Sequence, residues 1–315
     1  MNMQPVLKFG ISGALLLAIV PCITLGQDTG ARRQASPTPS PYAREESGII
    51  NPNLSQKEAE IRAQISREPE SADLWYQLAV LLRDERKPRP SLDAYTEAAK
   101  RRKPTAEELR SVALDYVILN DYDDAIHWLE RAAQMDPKNV EVLYSLGRCY
   151  YSKDRYIDAG KQFERVLAID AAHLKAEENL GLVLDATNHP KEAEEALRKA
   201  AAWAAEKQTD EWPFLDLGSF LLEGDRASEA IEPLRTAVRV RSSCGACHEK
   251  LGTALLATGD IPGSVAELEE AVRLEPKDPK AHFELGRALR RAGQTERAKQ
   301  EFAASRQLYS SHSQE

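Results

Sequence analysis

The stretch from Val140 to His173, VEVLYSLGRCYYSKDRYIDAGKQFERVLAIDAAH, contains the pattern that decides the fold. Two small residues in it, Gly147 and Ala159, are separated by a short polar segment, and Phe163 follows Ala159 by one helical turn. The Leu-Gly pair that ends at Gly147 recurs along the chain at steps of 34, 37, 34 and 34 residues, with glycines at Gly147, Gly181, Gly218, Gly252 and Gly286. A period of about 34 residues predicts stacked helix-turn-helix units.

Residue size at fixed positions supports this repeat. When each unit is numbered so that these glycines hold position 8, the two preceding units have Ala79 and Ala113 there. Position 20 holds only small residues: Ser91, Ala125, Ala159, Ala193, Ala230, Ser264 and Ala298. We expect the two helices of a unit to cross at positions 8 and 20, because a larger side chain would push their backbones apart. Large side chains follow at position 24, as in Tyr95, Leu129, Phe163, Leu197 and Phe302.

In these features the chain resembles the tetratricopeptide repeat family. The resemblance implies an all-α fold, a right-handed superhelical solenoid with seven units at 72–105, 106–139, 140–173, 174–210, 211–244, 245–278 and 279–312. A half-repeat helix at 53–69 would cover the apolar side of the first unit, so the solenoid is predicted to span 53–315. Two units depart from the pattern. The fourth has three extra residues, expected within 201–210, and the first has Arg86-Lys87-Pro88-Arg89-Pro90 where a compact turn is expected.

The N-terminus differs in kind from the repeats. Lys8 precedes an apolar stretch from Phe9 to Gly26, and the small residues that end it resemble a signal-peptidase site. Residues 1–26 are therefore predicted to be a signal peptide, and the alternative is an uncleaved membrane anchor. We expect an exported protein, periplasmic or extracellular, which touches a membrane only through this segment if it is not cleaved.

A linker is predicted to follow at 27–52. It is rich in proline and serine, and Pro37, Pro39 and Pro41 lie within five residues, which forbids a helix and favours an extended, disordered chain. Such a tether would hold the solenoid away from a membrane or wall.

Charge and motifs exclude several classes of function. The formal net charge of −8 argues against a nucleic-acid partner. The sequence has no phosphate-binding loop of the G-x-x-x-x-G-K-[ST] type and no G-x-S-x-G nucleophile motif, and its six His residues form no metal-binding spacing. We therefore expect neither catalytic activity nor a metal site.

One motif remains, the C-x-x-C-H formed by Cys244, Cys247 and His248. This spacing attaches a c-type haem, which would make the chain an electron-transfer protein. The alternatives are a disulfide between the two cysteines or reactive thiols, as in a thiol-disulfide enzyme. His248 holds position 4 of its unit, as His282 does in the next unit without nearby cysteines, so the histidine has an explanation that needs no iron. We expect no cofactor, with haem c as the alternative.

The resemblance also implies a binding surface. In this family the first helix of each unit lines the concave face, and positions 5, 6, 9 and 12 are among those that face a ligand. Tyr and Arg at such positions are typical anchors of protein interfaces. The predicted contacts with a protein or peptide partner are Tyr76, Arg110, Tyr144, Arg148, Tyr151, Asn179, Arg287 and Arg290. The sequence thus predicts a non-catalytic scaffold and leaves its oligomeric state open.

Overall fold

The computed structural model describes residues 54–207 and 210–312. The predicted signal peptide and linker lie outside these residues. The described part of the chain forms fifteen α-helices and no strand: α1 (Leu54–Arg67), α2 (Ala72–Asp84), α3 (Pro88–Arg101), α4 (Ala106–Ile118), α5 (Tyr122–Met135), α6 (Val140–Ser152), α7 (Tyr156–Ile169), α8 (Leu174–Ala186), α9 (Pro190–Lys207), α10 (Trp212–Glu223), α11 (Ala227–Val240), α12 (Gly245–Thr258), α13 (Ile261–Leu274), α14 (Pro279–Arg291) and α15 (Thr295–His312).

After α1, the helices form seven antiparallel pairs that stack in chain order. Each even-numbered helix, the first of its pair, packs against the first helix of the next pair, from α2 on α4 through α12 on α14. The second helices pack on first helices and show no comparable packing on one another. The first helices therefore form the inner, concave side of the array. The prediction of an all-α helical repeat solenoid is confirmed.

The small residues at position 8 are explained by the side chain at position 24 of the same pair. A Cβ atom placed on Gly147 would lie 2.6 Å from the ring of Phe163, and one on Gly218 would lie 2.5 Å from Leu234. Both of these large side chains are fully buried. The two helices of a pair cross where glycine leaves room for a large apolar residue, which is the physical reason predicted for the pattern.

The two serines at position 20 fit the same crossing. Ser91 Oγ lies 2.7 Å from the carbonyl oxygen of Ala79, and Ser264 Oγ lies 2.7 Å from that of Gly252. Both serines are fully buried and both carbonyls belong to position 8 of the same unit. A hydroxyl is tolerated in place of the usual alanine because it hydrogen-bonds across the helix pair.

A left-handed residue at position 15 ends each first helix. It is Arg86, Asn120, Asp154, Asn188 and Asp225 in units one to five, with φ between 56° and 63°, and Gly259 and Gly293 in the last two. Every second helix begins two residues later, at position 17. Unit one follows the same scheme, since Pro88 begins α3 as the first helical residue. Only Arg86 and Lys87 of the Arg-Lys-Pro-Arg-Pro segment therefore lie in the turn, which is as short as the others, and its last three residues begin α3.

The N-terminal helix and the extra residues of unit four also fit into the array. α1 packs on α2, with Ile65 buried in the apolar cluster of the first pair. α9 has 18 residues, four more than α7 or α11, so the insertion in unit four lengthens a helix. No helix in the described ranges has the length and hydropathy needed to cross a membrane.

Candidate functional site

Four of the predicted contact residues meet on the inner face of units three and four. Arg148 lies over the ring of Tyr144, with its guanidinium carbon 5.5 Å from the ring centroid. Asn179 Nδ2 on α8 lies 3.4 Å from the hydroxyl of Tyr144 on α6. Tyr151, on the next turn of α6, packs edge-on against Tyr156 at 5.3 Å between ring centroids. We call Tyr144, Arg148, Tyr151 and Asn179 the central inner group.

Accessibility differs within the central inner group. Tyr144, Arg148 and Asn179 are buried, with at most 8% of their surface exposed, whereas Tyr151 is half-buried. The ring of Tyr144 also packs on His173, with their centroids 5.2 Å apart. Tyr151 is therefore the most accessible member of this group, and the contact between Asn179 and Tyr144 links α8 to α6.

The other four predicted residues lie elsewhere. Tyr76 is buried on α2, where its hydroxyl donates to the carbonyl oxygen of Arg102 at 3.1 Å. Arg110 on α4 forms an ion pair with Glu107 one turn away. Arg287 and Arg290 lie on α14 at the C-terminal end of the array. The eight residues thus form no single site. Four lie together in units three and four, Arg287 and Arg290 lie at the C-terminal end, and Tyr76 and Arg110 lie apart from the others.

Sequence reasoning missed the acidic side chains of the same face. Glu178, Asp216, Glu249 and Glu284 hold positions 5 or 6 of units four to seven, and all four are buried. Burial raises the pKa of Glu249, and Lys280 Nζ lies 3.7 Å from its carboxylate. The position rule that selected the tyrosines and arginines would have found these residues too, had it been applied to acidic side chains.

The C-x-x-C-H motif lies across the turn between α11 and α12. Cys244 and Cys247 form a disulfide, and Cys244 caps α12 by accepting a hydrogen bond from the backbone N–H of Cys247 through its sulfur. Both ring nitrogens of His248 have protein partners: Nδ1 lies 2.6 Å from Glu267 and Nε2 lies 3.1 Å from the carbonyl oxygen of Ser242. In this turn both sulfurs and both ring nitrogens of the motif therefore have protein partners.

His282 shows that this histidine arrangement belongs to the repeat. Its Nδ1 lies 2.7 Å from Glu301, and its Nε2 lies 3.1 Å from the carbonyl oxygen of Pro276. The partners stand at the same offsets as those of His248, and no cysteine is nearby in the sequence. The histidine therefore joins the two helices of a unit whether or not the C-x-x-C precedes it. No group of three or more potential metal ligands occurs among the residues the structure describes.

Comparisons with known proteins agree with this geometry. Family models described as tetratricopeptide repeat match residues 117–173 and 249–313. Protein FlbA of Caulobacter vibrioides is 26% identical over 213 residues, which cover 65% of this chain and 35% of FlbA. The chain thus spans about a third of the length of this relative.

Solved structures resemble the chain at the level of the fold. Cut9–Hcn1, a hetero-tetramer of the APC/C, gives a TM-score of 0.64 at 17% identity, over 78% of this chain and 47% of that one. Yeast Tom70 gives 0.59 at 17% identity, over 81% and 55%. A tetratricopeptide repeat protein from Parabacteroides merdae gives 0.60 at 16% identity, over 75% and 93%.

Proposed function

Because this chain is a tetratricopeptide repeat protein, we propose that it is a non-catalytic scaffold that binds a protein or peptide partner on the inner face formed by its first helices. The observation that carries the proposal is the make-up of that face. Aromatic or charged side chains hold its position 5 in six of the seven units and recur at positions 6, 9 and 12, where the crossing of the two helices in a unit does not require them.

The order of these side chains favours a partner segment with charges of both signs. The central inner group contributes aromatic rings and a guanidinium from units three and four. Acidic side chains follow toward the C-terminus, ending at Glu284 on α14, and they are joined by the amines of Lys250 and Lys280. These charges are mostly buried, so they act on a peptide that crosses several units through the electric field along the face, which favours one direction of the peptide.

The test places a photo-crosslinker on each side of the solenoid. Benzoylphenylalanine replaces Tyr151 on the inner face in one variant. In the matched control it replaces Ile157 on α7, a second-helix residue that is 71% exposed. We expect a crosslinked partner from position 151 in the producing cells and none from position 157. Crosslinking from position 157 alone, or from neither position, would contradict the inner face as the binding surface.

A second variant separates binding from folding. Tyr151→Ala removes a half-buried ring, so its thermal midpoint is expected to stay within a few degrees of the parent protein. The contact itself is tested by competition. Untagged Tyr151→Ala is added as competitor to the protein that carries the crosslinker at position 151, and the amount of crosslinked partner recovered is measured. We expect the variant to compete at least about fivefold less well than the parent protein, because an interface aromatic contributes about 1 kcal/mol or more.

We further propose that the protein is exported and carries no cofactor. The apolar segment at 9–26 and the disulfide at Cys244–Cys247 support export, since disulfides persist in oxidising compartments. Fractionation of the producing cells tests this, and recovery of the chain with residues 1–26 intact from the cytosol would contradict it.

A further inference from the structure

The last helix pair presents a groove at the C-terminal end of the array. It lies between α14 and α15, encloses about 700 Å³ and is lined by both apolar and basic side chains. Phe283 and Tyr309 on its walls are 45% and 56% exposed. We call this groove the end groove.

Inner units show what such a groove accommodates. At position 24, Phe163 and Leu268 are fully buried, whereas Phe302 of the last unit is only half-buried. At position 28, Val272 of unit six packs in one apolar cluster with Leu285 and Leu289 of the following helix, α14. The same face of each inner unit therefore holds the first helix of the next unit, so the end groove has the shape that accepts a helix.

The end groove differs from the inner ones in charge. Position 28 is Ala or Leu or Val in units one to six and Arg306 in unit seven. Position 21, which is Val265 in unit six, is Lys299 in unit seven. With Arg287 and Arg290 these residues place four basic side chains around the groove, and no acidic side chain lines it in the part of the chain that the structure describes.

Two of these four basic side chains have a carboxylate partner in their own helix. Arg287 pairs with Glu284 at 2.7 Å and Lys299 with Glu296 at 2.8 Å, both within one helix turn. Arg290 lies over the ring of Phe302 at 5.6 Å, so it forms part of the aromatic floor. Arg306 is exposed on α15. A face that only had to be soluble could carry positive or negative side chains. This face carries only positive ones, although the net charge of the chain is −8.

We propose that the end groove binds an acidic amphipathic helix of a partner protein, in the place that the first helix of an eighth unit would occupy. The apolar side of that helix packs on Phe283, Phe302 and Tyr309, and its flanking carboxylates face Arg306 and Lys299. Phe283, Arg287 and Arg290 hold positions 5, 9 and 12 of α14, so the end groove adjoins the C-terminal end of the inner face, and α15 supplies its other wall. It gives the scaffold a second attachment point away from the central inner group. The charge complementarity selects an acidic helix over a basic or neutral one.

The test uses the full exported chain and two synthetic 18-residue helical peptides with identical leucine stripes. One peptide has Glu at its flanking positions and the other has Lys. We expect saturable binding of the Glu peptide by fluorescence anisotropy at micromolar concentration, weakened by added salt, and no binding of the Lys peptide.

Matched variants locate the site. The double variant Lys299→Glu and Arg306→Glu should weaken binding of the Glu peptide by about tenfold or more, since two attractions become repulsions. The control variant Lys191→Glu and Arg235→Glu makes the same change in net charge on exposed faces of α9 and α11, and should bind as the parent does. Tyr151→Ala should also bind as the parent does, which separates this proposal from the inner-face function.

Three results would overturn the proposal. They are no saturable binding of the Glu peptide, equal loss in the two charge variants, and a dimer in sedimentation that the Lys299→Glu and Arg306→Glu variant disperses. The last result would assign the end groove to a second copy of this chain.

Discussion

At the scale of single residues, the burial and polar contacts of Asp115 make the stability of the first two units depend on pH. Asp115 on α4 is fully buried, and its Oδ2 lies 2.6 Å from Ser91 Oγ, which in turn lies 2.7 Å from the carbonyl oxygen of Ala79. Ser91 has one hydroxyl proton. Both contacts are hydrogen bonds when Asp115 is protonated and donates to Ser91, while Ser91 donates to Ala79. Burial raises the pKa of Asp115 to about 7.

The pH dependence of stability follows from this shift. The unfolded Asp has a pKa of about 3.9, so from about pH 4 to pH 7 unfolding releases a proton and stability falls as pH rises, by several kcal/mol at most. Asp115→Asn keeps a hydrogen-bonding group and cannot ionise. We expect the thermal midpoint of the parent protein to drop more than that of Asp115→Asn between pH 5 and pH 8, as measured by circular dichroism. Parallel curves for the two proteins would refute this role.

The two cysteines of C-x-x-C-H give a second residue-scale prediction. Because Cys244 and Cys247 form a disulfide, the protein purified from the producing cells should weigh two hydrogens less than its reduced form and should carry no added haem mass. Intact-mass spectrometry before and after reductant measures both. A covalent adduct of one haem that survives denaturation would instead establish the haem alternative.

At the scale of elements, the turn at position 15 is the feature that fixes each helix pair. Asn, Asp and Gly hold this position in six units, and these are the residues that adopt the left-handed conformation at least cost. Substitutions at two glycines allow the effect of backbone conformation to be distinguished from the effect of packing. Gly259 has φ of +90° with nothing within 4 Å of an added Cβ, while Gly224 has φ of −83° and room for one.

These two glycines make a matched pair of variants. Gly259→Ala should lower the free energy of unfolding by about 1 kcal/mol, because only the backbone conformation penalises the added methyl. Gly224→Ala should leave it unchanged or raise it by up to about 1 kcal/mol, because the unfolded chain loses freedom. Chemical denaturation of both variants under one condition measures the difference. Equal effects would mean that conformation at position 15 is not what limits the turn.

At the scale of the whole molecule, stability depends on neighbours in the stack. Each inner pair packs on pairs at both sides, whereas the last pair packs on one side only and leaves Phe302 half-buried. In such an array the stability is a sum of unit and interface contributions. The helix pairs at the ends of the array are therefore expected to unfold locally more readily than the inner pairs.

Hydrogen exchange measures this gradient. We expect the amides of α6, α7 and α8 to exchange most slowly and those of α14 and α15 to exchange at least about tenfold faster, since the terminal pair lacks one interface. Binding of the Glu peptide at the end groove should slow α14 and α15 selectively. Uniform protection along the array would show that it unfolds as one cooperative unit instead.

The repeat, its seven units and the all-α fold follow from the amino-acid sequence alone. Side-chain size at positions 8, 20 and 24 depends on contacts within one helix pair, so a fixed period reveals it, as the approach of Gly147 to Phe163 shows. It also predicted that His248 has a role within the repeat, because His282 stands at the same position.

Packing between units, which the sequence pattern does not reveal, sets which of the predicted contact residues share a site. Tyr76 and Tyr144 both hold position 5, yet one packs under Arg102 and the other joins Arg148 and Asn179. Position in a unit fixes the direction of a side chain, but its surroundings come from neighbouring units that differ in sequence. Exposure of the end groove has the same origin: Phe302 holds a position that is buried in the inner units, and within the described residues no further helix packs on this face of unit seven.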